Sequence, residues 1–91
     1  MNIREDKYPT GAIIDKGEEI YNRLIRPAIE KQHAGRLVAI DVETEDYEIG
    51  DDGGEVTNKL RHRRPDAFVA LMRIGGGGVY RIGFIPQKSG S

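Results

Sequence analysis

Leu37-Val38-Ala39-Ile40-Asp41-Val42-Glu43 is the stretch that decides the fold. Val38, Ile40 and Val42 fall on one side of an extended chain, and Leu37, Ala39, Asp41 and Glu43 on the other. β-branched residues at every second position suit a pleated surface and predict a strand over 37–43. Thr44-Glu45-Asp46 then reads as a turn, and Tyr47-Glu48-Ile49 as a short returning strand, which together make a hairpin.

Upstream, Ile13, Ile14, Ile20, Tyr21, Leu24, Ile25, Ala28 and Ile29 recur at helical spacing and form one apolar stripe. Thr10 is the expected N-cap of this helix, its hydroxyl accepting from a first-turn amide. Pro27 lacks an amide hydrogen for the Arg23 carbonyl and disfavours a helical Arg26, so a kink or break is expected there. Gly35 is the expected stop, in the left-handed cap conformation.

Downstream, Asp52-Gly53-Gly54-Glu55 has the spacing of a capping box and predicts a second helix over 53–64. Its stripe is thin, Val56 and Leu60, with Arg63 on the same side. Ala67 to Ile74 is almost continuously apolar, as in a central strand covered on both faces. Gly75 to Gly78 is a glycine turn, and residues 79–85 form the last strand. The expected architecture is α+β, a helix–hairpin–helix–hairpin (αββαββ) chain. It builds a four-stranded, largely antiparallel sheet with two helices on one face. Residues 1–9 are expected to form a flexible arm, 10–85 a single domain and 86–91 a disordered tail.

The chain has 91 residues, 37% hydrophobic and 32% charged, with no Cys and no Trp. A disulfide scaffold, a cysteine zinc site and a thiol nucleophile are thereby excluded. No apolar run approaches the roughly 20 residues that span a bilayer, so no membrane role is expected. The first ten residues lack the apolar core of a signal peptide, making the cytoplasm the expected location. The net charge of −1 conceals a strong segregation. Residues 41–55 carry eight acids and no Lys or Arg, while residues 56–91 carry seven bases and one acid. A dipolar surface is expected, one pole of which could meet a charged partner.

No pattern of catalytic residues emerges. Asp41, Glu43 and Asp46 are the candidates for a carboxylate or metal centre, but hard cations need several converging oxygens, and a solvated hairpin explains these residues better. His33 and His62 have no positioned partner in a triad-like context. The Gly75–Gly78 run is followed by a strand pattern, where a phosphate loop would enter a helix. No cofactor and no metal are therefore expected. Lys59, Arg61, Arg63 and Arg64, with Arg73 and Arg81, are the candidate anion or nucleic-acid face. Their place at a helix C-terminus has a simpler account in the helix dipole.

The phrases Gly35-Arg36-Leu37-Val38-Ala39-Ile40-Asp41-Val42-Glu43-Thr44, Asp46-Tyr47-Glu48-Ile49-Gly50, Arg63-Arg64-Pro65-Asp66-Ala67, Arg73-Ile74-Gly75 and Tyr80-Arg81-Ile82-Gly83 carry a resemblance. Over roughly Ile13 to Gly83, the chain resembles a family of short bacterial proteins, frequent in cyanobacteria, that has no assigned activity. It departs from that pattern at Gly53-Gly54 and Gly76–Gly78, where relatives carry larger residues. Some relatives are encoded beside a retropepsin-like aspartic protease or other partner genes, in the manner of toxin–antitoxin pairs. The resemblance implies partner binding and supplies no catalytic residues.

The expected role is thus a non-catalytic protein-interaction module, antitoxin-like or self-associating. Its partner is another protein chain or a second copy in a homodimer, met through Tyr47, Ile49, Arg73, Tyr80 and Arg81. The alternative is nucleic-acid or anionic-ligand binding through residues 59–64 with Arg73 and Arg81.

Overall fold

A computed structural model describes residues 9–75 and 81–84, excluding the side chains of Thr10, Arg81 and Phe84. The expected arm, apart from Pro9, lies outside the described residues, as do Gly76–Gly78, Tyr80 and the expected tail.

Helix α1 spans Thr10–Ile20 and runs directly into a π-helical turn, Tyr21–Ile25. Two short helical turns follow, Arg26–Ala28 and Glu30–His33. Pro27 is the cause of this irregularity. Proline offers Arg23 no amide hydrogen and its ring crowds that carbonyl, so a regular turn cannot close. The chain widens instead, and the Arg26 amide donates five residues back to Tyr21. At Ile29 (φ −125°) the helical path breaks. Gly35 then takes φ +91° and ends the segment as its sequence position implied. Thr10 is not the cap. The helix already includes it, and Pro9 precedes as N-cap, its carbonyl accepting from Ala12 and Ile13. A proline just before the first turn lacks an amide hydrogen that would otherwise seek a partner.

Strands β1 (Leu37–Asp41), β2 (Tyr47–Gly50), β3 (Val69–Arg73) and β4 (Arg81–Phe84) form one sheet in the order β2-β1-β3-β4. Every neighbouring pair is antiparallel. Helix α2 spans Gly53–Arg63, and Asp52 caps it by accepting from the Glu55 amide at 3.0 Å. The Glu55 carboxylate lies 3.7 Å from Lys59, one turn further on.

The helices do not share a face. On one side, Val38, Ile40, Val42, Phe68, Ala70, Met72 and Ile74 pack with Ile13, Ile20, Tyr21 and Ile25 of the first helical segment. On the other, Leu37, Ala39, Ala67, Val69 and Leu71 pack with Val56 and Leu60 of α2. The expected one-sided packing is therefore corrected to a sheet covered on both faces. The physical reason lies in β1 and β3 themselves. Both carry apolar side chains at odd and even positions, and a single helical layer would leave one set in water. Coverage is staggered: α1 lies over β3 and β4, while α2 lies mainly over β1 and β2.

Tyr21 ties the π-helical turn to the end of β3. Its buried hydroxyl donates to Glu30 Oε2 at 2.6 Å and accepts from the Gly75 amide at 2.8 Å. Burial pushes its pKa up, and the bond to Glu30 adds to the shift. Replacing Tyr21 by Phe is expected to cost about 1–2 kcal/mol in chemical denaturation, because the Gly75 amide loses its acceptor. It is also expected to speed hydrogen exchange at Gly75.

Candidate functional site

The acidic hairpin is an organised turn. Asp41 is 3% exposed, and its Oδ1 accepts from the Glu43 and Thr44 amides at 2.9 and 3.4 Å. Its Oδ2 accepts from the Thr44 hydroxyl at 2.9 Å. Both carboxylate oxygens thus hold the loop between β1 and β2, which passes through Glu45 at φ +68°. Among the described residues, no group of three or more His, Asp or Glu side chains is placed to hold a metal ion.

The two charged poles meet inside the molecule. Packing α2 across β1 and β2 brings its C-terminal arginines over the strand that carries the acids. Arg63 Nη2 lies 2.9 Å from Asp46 Oδ2, and Arg63 Nη1 contacts Glu48. Arg64 lies 3.5 Å from Asp46. Elsewhere, Arg36 pairs with Asp51 at 3.0 Å, and Arg23 forms a two-pronged bond with Glu45 at 2.6 and 3.0 Å. The Arg63 guanidinium holds the Asp46 carboxyl below its ordinary range, and Arg23 does the same for Glu45. Burial alone lowers the pKa of Arg61. The dipole read from the sequence is therefore largely closed on itself. Within the candidate anion face, Arg63 and Arg64 are committed to Asp46 and Lys59 lies beside Glu55.

This pairing sets an acid limit. A carboxyl whose folded pKa is depressed adds stability above its unfolded value near 3.9, and loses it as pH falls through the folded value. Asp46 behaves in this way. Arg63→Ala is expected to raise the Asp46 pKa in a carbon-detected NMR titration. It is also expected to reduce stability at pH 7 by about 1 kcal/mol or less, since the network is partly exposed. As pH falls through the folded value of Asp46, the variant and the parent chain should converge.

The same residues shape one edge of the sheet. Along β1, Asp41 donates to Asp46 of the β2 side at 2.8 Å, whereas Val42 donates to Phe68 of the β3 side at 3.0 Å. Odd residues of β1 thus face β2 and even ones face β3. By the alternation of an antiparallel ladder, Tyr47 and Ile49 turn their backbone groups outward. At Tyr47 both groups are occupied: its amide donates to Asp46 Oδ1 at 2.9 Å, and its carbonyl accepts from Arg63 Nη2 at 3.4 Å. The β2 edge is closed there.

β4 is the other edge. On the same alternation, Ile82 and Phe84 bond inward to Leu71 and Val69, and Arg81 and Gly83 present their backbone groups outward. Among the described residues no strand pairs with that side. Ile82 is 39% exposed and is the exposed large hydrophobic side chain among the described residues.

Of the five residues expected to bind a partner, the described ones lie on three strands. Tyr47 and Ile49 lie on β2, half-buried against the α1-side core. Arg73 ends β3 and donates to the Gly35 carbonyl at 3.0 Å, while Arg81 begins β4. The two edge strands stand roughly 14 Å apart, three strand spacings. Tyr80 lies outside the described residues. Ile82 was not among the expected residues. The signal for it was the α2 stripe, where Val56 and Leu60 are too few to cover two strand pairs on one face. No protein-family model matches the chain, nor does any curated protein or solved structure.

Proposed function

We propose that the chain is a small non-catalytic protein-interaction module that adds a strand from another protein chain at the β4 edge. We read it as an αββαββ unit acting in the cytoplasm, with an antitoxin-like partner role as one form of this function. The observation that carries the reading is the inequality of the two edges. β2 is stopped by Asp46 and Arg63, whereas β4 offers outward backbone groups beside an exposed isoleucine. An unpaired edge is a ready template for strand addition, and natural proteins normally blunt such edges with charge.

Internal pairing of Arg63 and Arg64 weighs against the nucleic-acid alternative, since a cation held by a carboxylate releases little counterion on meeting phosphate. The test is a comparison of Ile82→Lys with Ile49→Lys in complex formation, whether with a host partner or between copies. Loss of the complex with Ile82→Lys alone supports the reading. Equal loss with both variants, or loss with Ile49→Lys only, refutes it.

A further inference from the structure

Beyond partner binding, we infer that Asp52 is a site of spontaneous main-chain isomerisation, converted through a cyclic imide to isoaspartate at a rate set by opening of the first turn of α2. Asp52-Gly53 is the one Asp-Gly pair in the sequence, and no Asn-Gly pair occurs. Glycine has no side chain to shield its backbone nitrogen from the carboxyl group before it. Gly53 also opens α2, where backbone amides have no acceptor within the helix. Asp52, Gly54 and Glu55 are exposed around it. Other aspartates lack this combination. Asp41 is buried with both oxygens engaged, Asp46 is held by Arg63, and Asp51 is held by Arg36. Asp15 lies inside α1, where the next amide bonds back along the helix.

The chemistry needs water alone. The Gly53 nitrogen attacks Asp52 Cγ to form a C–N bond, and the nitrogen's proton leaves with the carboxyl hydroxyl as water. Water then opens the ring at either carbonyl. One opening restores aspartate. The other leaves the main chain running through Cβ and Cγ, with the former backbone carbonyl now a free carboxylate.

The folded geometry holds this reaction back. Ring closure requires Cβ and the Gly53 nitrogen to eclipse about the Cα–C bond of Asp52. At ψ 122° the nitrogen instead lies on the Hα side, and Oδ1 is engaged by the Glu55 amide at 3.0 Å. The cap must open first, so the rate follows the open fraction of the turn. Isomerisation lengthens the main chain by one atom between β2 and α2. That junction has no slack, since a Cβ on Gly50 would stand 2.7 Å from Val56 Cγ1. The first turn of α2 is therefore displaced, and the cap on the Glu55 amide is lost.

The test is to hold the folded parent chain at neutral pH and physiological temperature for weeks. Isoaspartate is then labelled with an isoaspartyl methyltransferase and located by fragmentation mass spectrometry. Label is expected at residue 52, and none there in Asp52→Ser, which keeps a capping oxygen. Val56→Ala loosens the first turn and should raise the rate several-fold, with its folded state checked by circular dichroism. Urea below the unfolding transition should do the same to the parent chain, and replaces that variant if it does not fold. Label at residue 52 in the unfolded chain but none in the folded one overturns the inference. Label that accumulates first at another aspartate of the folded chain also overturns it. A rate at residue 52 indifferent to both Val56→Ala and urea overturns control by the cap.

Discussion

Gly17→Ala is expected to destabilise the protein, although helix propensity alone assigns it the opposite sign. Alanine is favoured over glycine by about 1 kcal/mol inside a helix. Here α1 crosses the sheet so closely that a Cβ on Gly17 would stand 2.3 Å from Ala70 Cβ and 3.1 Å from Met72 Cε. Neither neighbour is the free end of an exposed chain. Ala70 belongs to β3 and is 1% exposed, so the added carbon must push the helix off the strand. Overpacking of this kind costs about 1–3 kcal/mol and more where the backbone must shift. The expected net result is a fall of about 2 kcal/mol in unfolding free energy, read from urea denaturation. Gly17→Ala combined with Ala70→Gly should recover most of the loss, since the second change removes the atom that the first would meet. An increase in stability from Gly17→Ala alone would show that α1 does not approach β3 at this point.

Asp41→Ala is the second change with a large expected effect. The carboxylate is buried and accepts from two amides and a hydroxyl in the turn that follows β1. Removing it costs the Glu43 and Thr44 donors their acceptor and empties a buried position, a loss of about 2 kcal/mol. Asp41→Asn keeps one carbonyl oxygen for the Glu43 amide, and the Thr44 hydroxyl can rotate to accept from the new amide group. A smaller loss of about 1 kcal/mol is expected for it. The turn also positions Asp46 and hence the Arg63 contact that closes the β2 edge. Asp41→Ala should therefore loosen that edge as well, seen as faster hydrogen exchange at the Tyr47 amide. Equal losses for the alanine and asparagine variants would contradict the bonding role of the carboxylate.

Much of the chain was legible as sequence because local physics dominates there. Val38, Ile40 and Val42 announce β1, Pro27 announces the break after the π-helical turn, and Asp52 announces the start of α2. The side of the sheet on which each helix lies was not legible in the same way. It depends on which parity of β1 and β3 each helix meets, and both parities are apolar. The nearly unbroken apolar run at residues 67–74 did imply two covered faces, and that implication is the one the fold obeys. Charge segregation was visible as a pattern along the chain, but its outcome was not. Whether Arg63 faces solvent or Asp46 depends on how α2 crosses β2, a tertiary relation with no trace in spacing. The same holds for the edges. Tyr47 and Ile49 look like Ile82 as alternating strand residues, and the contacts of Asp46 and Arg63 with the Tyr47 backbone separate one edge from the other.

The unequal edges are tested most directly by amide hydrogen exchange. The outward amides of Arg81 and Gly83 should exchange faster than the Tyr47 amide, which is held by Asp46. Slow exchange at Arg81 and Gly83 with fast exchange at Tyr47 would contradict the account and move the open edge to β2.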